Sequence, residues 1–559
     1  MSDGLWRETY FDRVRPVVGE TLARARAVFW DLGHGYLAAE ALARTGLRRQ
    51  LWLDDARPEG AFVRSLGRWA TGHGRRGEAL AAACREHNTF ESEWELVTRP
   101  DSLEELHRAL DERPDVLVAR GDERARDVAA AAIAAGTPLV MTFVPAPALG
   151  ALHIVWIPGT ACPADRVLEA CGRLAELPSL DLDQPAAHID GLEARSGALA
   201  LASWILLGAS RPDLERPLVA EGRVILARGR PDWPWAVRFL APAELDGLLA
   251  RARPRYNAPL ALLRDPRLLV IGLGTASLFC AEAAGLLARQ LIVVDAKAVS
   301  PYNPVRQVYS TRDIGDPKAN ALARILTQRL DPAADWQTSN EGPVSWRTSG
   351  SFRLGAAQLH LTAADPGAEE QLIELLDVAR PTLAIVGMGR THDDNFMVTA
   401  ELRRRGIRHI TPSAFPGVTH YKHIVTDGAS GPCYDCLQGH LVVDAGPGPT
   451  LTEAQRELFY GGTQPATLAE TYPSAHSLLR LAQDLAMPRG ARPAYLAAEL
   501  AAERACFVGS NRAERAVDGQ WLYGVDQPFS MVAFGLEDLV VGTGAERPCS
   551  CGRVNLREK

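Results

Sequence analysis

The stretch Leu268–Asp295 leaves this chain few folds to choose from. It opens with an apolar run, Leu268 to Ile271, and turns through Gly272-Leu273-Gly274. An Ala/Leu-rich helical pattern follows, and a second apolar run, Leu291 to Val294, is closed by Asp295. Strand, glycine turn, helix, strand and terminal acid make a βαβ unit of the nucleotide-binding kind. Small residues let backbone N–H groups approach a phosphate at the helix N-terminus, and the acid accepts from ribose hydroxyls. The third glycine position holds Ala276, and the unit alone is common to many α/β proteins.

The pattern occurs twice. Ala27 to Leu32, a glycine pair at Gly33 and Gly35, a helical pattern and Leu51 to Asp54 mirror the later unit. Arg113 to Val118 resembles Arg380 to Val386, and each is followed by a polar turn, a helical pattern, a glycine (Gly136, Gly406) and another short strand. Apolar runs alternate with alanine-rich helical patterns from about residue 26 onward. An α/β fold is expected, with two Rossmann-like domains that are divergent copies and have mainly parallel sheets. The competing explanation is that any two such units look alike. The Pro/Trp/Arg-rich passage 228–255 marks the boundary, giving a first domain over 1–235, a linker over 236–262 and a second domain over 263–559. Residues 437–475 read as a long surface connection.

Composition narrows the class. At 559 residues, 47% hydrophobic and 23% charged, the chain has the make-up of a globular protein of several domains. A formal charge of −7 and a pI near 6.1 argue against a nucleic-acid partner. The N-terminus is charged throughout and no segment reaches the ~18 apolar residues of a membrane span, so a cytoplasmic protein without a membrane partner is expected. Nine cysteines are scattered except for Cys433/Cys436 and Cys549/Cys551. Four thiolates in two close pairs suit a closed, structural tetrahedral zinc site; buried free thiols or a redox pair are the alternatives.

After Asp295 come Ser300, Asn303, Arg306, Gln307, Asp313-Ile314-Gly315 and Lys318. In this spacing the chain resembles the ThiF/MoeB/E1 family, the ATP-dependent activating enzymes of ubiquitin-like proteins and sulfur carriers. The resemblance implies that Gly272, Gly274 and Asp295 bind ATP, the last through its ribose. Asn303 and Arg306 would hold the triphosphate with Gln307 nearby, and Lys318 would offset phosphate charge. Any one of these residues alone is equally a solvated surface group. In Met388-Gly-Arg-Thr-His-Asp393-Asp394-Asn395 the resemblance implies that Asp394 holds Mg²⁺, with Asp393 as its neighbour; turn chemistry after a strand also favours Asp and Asn. Tyr10-Phe-Asp-Arg13-Val14 resembles the family's entry helix, with Val14 where Gln is usual. Arg13 would then be an arginine finger supplied in cis by an inactive first copy, as in fused bacterial E1-like proteins.

Thioester-forming relatives carry a Cys in a crossover loop before a Pro that opens a helix. The matching helix is expected to begin at Pro473, and its loop, 461–472, has no cysteine. Cys506, the hydroxyls of Thr467, Thr471 and Ser474, or no covalent step remain. A thiolate is the better nucleophile at neutral pH, whereas a Cys in an alanine-rich helical pattern is also an ordinary buried residue. The resemblance thus implies adenylation of a ubiquitin-like protein at its free C-terminal glycine and transfer to an E2-like conjugating partner. Three other readings stand beside it: adenylation of a peptide or tRNA without capture, an NAD-dependent oxidoreductase using Gly272, Gly274 and Asp295, and a pseudoenzyme scaffold, to which Ala276 and Lys297 point.

Overall fold

The computed structural model describes residues 21–89, 93–145, 150–159, 162–181, 187–207, 225–228, 237–251, 266–284, 286–331, 334–388, 392–414, 420–441, 466–511 and 531–535. Two sheets carry the chain. The first uses β1 (Arg26–Trp30), β2 (Arg49–Leu53), β3 (Glu95–Arg99), β4 (Val116–Arg120), β5 (Leu139–Phe143), β6 (Leu152–Trp156), β7 (Ile225–Arg228) and β8 (Val237–Leu240), in the order 3-2-1-4-5-6-7-8. The second uses β9 (Arg267–Ile271), β10 (Gln290–Val294), β11 (Gln337–Glu341), β12 (Val344–Ser349), β13 (Phe352–Ala357), β14 (Leu383–Val386), β15 (Arg408–Ala414), β16 (His420–Thr426), β17 (Cys506–Ser510) and β18 (Met531–Phe534). Its order is 11-12-13-10-9-14-15-16-17-18.

Without the hairpin β11–β12 the two orders are the same. The repeat is also metrical: β9 and β10 begin at 267 and 290 where β1 and β2 begin at 26 and 49, a separation of 241 residues in both cases. Both sheets are mixed rather than mainly parallel. β3 to β5 and β13 to β15 pair in parallel through β2-β1-β4 and β10-β9-β14, and β5 to β8 and β15 to β18 pair antiparallel. Connection length accounts for the first antiparallel pair in each sheet: the segments from Phe143 to Leu152 and from Ala414 to His420 are shorter than a parallel crossover requires.

The passage expected to link the copies contributes instead to the first sheet. β8 pairs with β7, and Leu245 of the helix Leu245–Arg251 is buried in the same core as Leu240. The expected surface connection over 437–475 likewise ends in a buried helix from Leu468.

Strands buried on both faces explain the uninterrupted apolar runs. In β1, Val28 and Trp30 face an outer core with Leu106, Val128 and Val167, while Ala27 and Phe29 face inward. In β9, Leu269 and Ile271 face an outer core with Leu372 and Val398, and Leu268 and Val270 face inward. The two inward faces share one continuous core. Between them lie α1 (Leu32–Arg44), α3 (His188–Leu207), α4 (Ala276–Ala283) and α8 (Leu468–Ala486); α3 packs on α1 and on α8, and α8 on α4. α3 and α8 are buried nearly all round, as a helix between two layers must be.

Paired charge also enters this seam. Arg480 of α8, 3% exposed, reaches Asp190 and Glu193 of α3 at 3.2 Å each. Burial works against its charge, and the two carboxylates outweigh it. Replacing Arg480 with Met should therefore take the cation from two buried carboxylates. We expect a loss of about 3–5 kcal/mol in chemical denaturation, partly restored when Asp190→Asn and Glu193→Gln are added.

Candidate functional site

The order of the second sheet reverses between β9 and β14, and ligands of open α/β sheets bind at the carboxyl ends of strands at such a point. Here the two strand ends touch. Gly272 has φ +88°, and a Cβ on it would fall 2.1 Å from the Gly387 carbonyl oxygen; the Gly387 N–H donates to the Ile271 carbonyl at 2.8 Å. Only glycine fits there. The N–H of Leu273 donates to Asp295 Oδ2 at 2.7 Å and the N–H of Lys297 to Oδ1 at 2.8 Å, so the acid that ends β10 is fixed beside the glycine turn. The Ser277 hydroxyl, donating to the Gly274 carbonyl at 2.8 Å, closes the start of α4.

The polar residues after Asp295 form a compact turn over this crevice. Asn303 is buried and its Oδ1 accepts from the Ser300 N–H at 2.8 Å. The Arg306 guanidinium lies 5.7 Å from the Tyr302 ring. Gln307, 3% exposed, brings its amide nitrogen over Gly274, within 3.9 Å of where a side chain there would stand, and its Oε1 is buried without a partner. The segment 297–299 pairs with 315–318 and returns Lys318, the first residue of α5 (Lys318–Leu330), to the side of Asp295. Burial pushes the Lys318 ammonium down to about 8; Asp295 pulls the other way, and Arg306 and Lys297 add to the fall.

From the other strand end comes α6 (His392–Arg404). Asp394 in its first turn is buried, whereas Asp393 is exposed. Asp394 Oδ1 accepts from the Thr362 hydroxyl and the Ala363 N–H, both at 2.8 Å. Asn395 Oδ1 accepts from the Met388 N–H at 3.3 Å. Glycines that open the crevice, an oriented acid on each side, a buried cation and an orphaned amide oxygen suit a nucleoside triphosphate, and Asp394 suits a divalent cation beside it.

The first sheet has the same crevice, closed. Asp54 Oδ2 accepts from Leu32 N–H at 2.7 Å and Oδ1 from Ala56 N–H at 2.8 Å, the same bonds that Asp295 accepts. Asp31, however, stands where the second sheet has Gly272, at φ +68°. The glycine pairs thus do not correspond: Gly33 matches Gly274. The Asp31 carboxylate accepts from the Gly33 N–H at 2.8 Å and caps α1. Arg76 lies over the turn, 3.3 Å from Asp31 and 3.4 Å from Asp54, and Arg120 lies 3.3 Å from Asp31. A phosphate brought here meets a carboxylate already bonded to the N–H it needs.

The expected transfer residues are buried. Cys506 opens β17 rather than lying in a helix; it is fully buried among Ile424, Leu437 and Val508, and burial pushes its thiol up to about 12 despite Lys422 nearby. α8 begins at Leu468, not at Pro473, which lies inside it. Thr467 is its N-cap in a capping box with Glu470, a local start signal stronger than the proline. Thr471 donates to the Arg306 carbonyl at 3.1 Å, and Ser474 is buried. Cys433 and Cys436 are buried with Sγ atoms 3.4 Å apart, which suits two corners of a tetrahedron with Zn–S bonds of about 2.3 Å. Cys549, Cys551 and Arg13 lie outside the described residues. Among the described residues no group of three or more His, Cys, Asp or Glu is placed to hold a metal, and no helix is long and apolar enough to cross a membrane.

Thr362 and Tyr309 are additions to the site. Tyr309 donates to the Leu273 carbonyl at 3.3 Å and its ring lies 6.0 Å from Lys318 Nζ. Thr362 follows a strand end beside β10, a position that marks ligand contact in this class of sheet; nothing local distinguishes Tyr309.

No family model and no curated protein matches the chain. Among solved structures it overlaps loosely with PaaA (TM-score 0.31, 13% identity, covering 47% of this chain and 73% of PaaA). It overlaps similarly with E. coli MccB in complex with AMPCPP and MccA (TM-score 0.32, 12% identity, 63% of this chain and 85% of MccB).

The chain has four lysines, at 297, 318, 422 and 559, which makes the Lys318 ammonium accessible to NMR. The resonance that disappears in Lys318→Met should lose its proton near pH 8, and tripolyphosphate should raise that midpoint. A midpoint unmoved by the anion would place the ammonium outside the crevice.

Proposed function

We propose that the chain activates the C-terminal carboxylate of a polypeptide by ATP-dependent adenylation. The substrate in this reading is a ubiquitin-like protein ending in free glycine, and an E2-like protein is the acceptor. The observation that carries it is the meeting, where β9 and β14 end, of Asp295, Lys318, the 303–307 turn and Asp394 around a crevice that only glycine leaves open.

In the reaction an oxygen of the substrate carboxylate attacks the α-phosphorus of ATP. A mixed anhydride forms, the bond from the α-phosphorus to its bridging oxygen breaks, and pyrophosphate leaves with the electron pair. Asp295 orients the nucleotide through its ribose. Lys318 and Arg306, with Arg13 from the first copy, offset the charge gathering on the phosphates, the term that dominates such transfers. Asp394 would hold Mg²⁺, whose chemistry is to draw charge from the leaving phosphates. Cys433 and Cys436, with Cys549 and Cys551, would hold a structural zinc. The first copy, closed by Asp31 and Arg76, is the inactive partner of the pair, and the second copy does the work.

A second reading, adenylation without covalent capture, has its own support: every described cysteine is buried, and Thr467, Thr471 and Ser474 lie in the packed seam.

The test is isotope exchange between pyrophosphate and ATP in the presence of polypeptides ending in free glycine. Wild type should exchange; Asp394→Ala, Lys318→Met and Arg13→Ala should each fall by on the order of 10²-fold, the scale of losing one preorganised charge. Cys506→Ala should exchange normally, and a denaturation-resistant adduct lost in that variant would establish capture by thiol. Tight nicotinamide binding with no exchange would replace the reading with an oxidoreductase.

A further inference from the structure

The turn that carries Asn303, Arg306 and Gln307 is held partly from the other half. Its inner side presents the carbonyls of Pro304, Gln307 and Tyr309 to the seam, and all three residues are buried. Arg44, at the end of α1 in the first half, meets them: Nη1 lies 3.2 Å from the Pro304 oxygen, 3.0 Å from that of Gln307 and 2.8 Å from that of Tyr309. Nη1 serves the three carbonyls while Nε faces Glu40 and Nη2 lies 3.0 Å from Nδ1 of His87, a spread that a guanidinium spans and a single ammonium does not. Arg44 is 2% exposed.

The guanidinium is itself fixed from behind. Its Nε donates to Glu40 Oε1 at 2.5 Å, and Glu40 also lies 2.6 Å from Nδ1 of His87, the last residue of α2 (Arg76–His87). Burial would raise the Glu40 carboxyl, but Arg44 and His87 outweigh it and hold it at about 2. Burial and Arg44 lower His87 to about 4, so near neutral pH it is uncharged, with Nδ1 lying 3.0 Å from Arg44 Nη2 as well as beside Glu40. The cluster pairs the Arg44 cation with the Glu40 anion and faces the three carbonyls. Beside it, Thr89 N–H donates to the Thr311 hydroxyl at 3.0 Å, so the first half grips the turn at both ends.

At the separation of 241 residues, the counterparts of Glu40 and Arg44 in the second half are Ala281 and Gly285, which carry no charge.

We infer that Arg44 is a positioning residue for the nucleotide crevice: through the three carbonyls it holds the 303–309 turn in the conformation that presents Asn303, Arg306 and Gln307. This rests on the nucleotide reading above for what the turn binds, but not for the grip itself. Without Arg44 three buried carbonyls lose their donor, and a turn in that state exchanges its geometry for one that reaches water.

The experiment uses the full chain with Mg·ATP as the probe. Arg44→Lys keeps the charge and loses the fork; the double variant Glu40→Gln/Arg44→Met removes both charges, so that no lone carboxylate is buried. Arg480→Met, which breaks a seam ion pair without touching the turn, is the comparison for general loosening. Calorimetry should show ATP binding weakened about ten-fold or more in both Arg44 variants, the scale of one lost charge-assisted hydrogen bond, and within about two-fold of wild type in Arg480→Met. Hydrogen exchange without nucleotide should speed up over 303–313 in the Arg44 variants only. Unchanged exchange over 303–313 in both Arg44 variants overturns the inference, as does equal weakening of ATP binding in Arg480→Met. If wild type binds no ATP, it is the nucleotide reading that fails, and hydrogen exchange alone decides whether Arg44 holds the turn.

Discussion

The molecule depends on an apolar seam that neither half could expose. α3 and α8 are buried on nearly every side, and the inward faces of both sheets contribute to one core. Burial on this scale follows area, about 25 cal/mol per Å² removed from water, and is indifferent to direction. Direction comes from the few polar groups allowed inside. Arg480 between Asp190 and Glu193 sets how α8 lies on α3, and Arg44 sets how the first half meets the 303–309 turn. Each is costly if one partner is lost, so each fixes a register that apolar packing alone would leave free to slide.

Within that frame the two halves have diverged at one backbone position with large effect. Gly272 leaves the end of β9 open against Gly387, and Asp31 fills the matching place with a carboxylate held by Arg76 and Arg120. The strand-end acids, Asp54 and Asp295, keep the same pair of backbone bonds in both. The scaffold of the crevice is thus common property, while access to it belongs to the second half.

Much of this was legible in the residues. Apolar runs of strand length between alanine-rich patterns gave β1, β2, β9 and β10 with their helices, and the repeat was visible because strands buried on both faces read as continuous runs. The polar set after Asp295 could be singled out because several polar types at fixed spacing point one way where each alone does not. What escaped was set by tertiary contact. The antiparallel pairs β5–β6 and β15–β16 follow from short connections that no residue pattern announces. The register of the repeat was misread by two, because a glycine at positive φ and an aspartate at positive φ look unrelated in a sequence. The start of α8 at Thr467 was masked by Pro473, although the Thr467/Glu470 box is itself a local signal. Arg44 sits in an ordinary helical pattern, and only folding reveals that it faces three carbonyls across the seam.

The closed crevice of the first half also bears on stoichiometry. Two equivalent copies meeting through this seam would offer two crevices per pair, each able to fill on its own. With Asp31 in one and Gly272 in the other, the described residues leave one such crevice open, and in the proposed reading the pair has a front and a back. Because both copies are encoded together, the closed one is free to accumulate changes that serve its neighbour without ever being required to accommodate a ligand of its own.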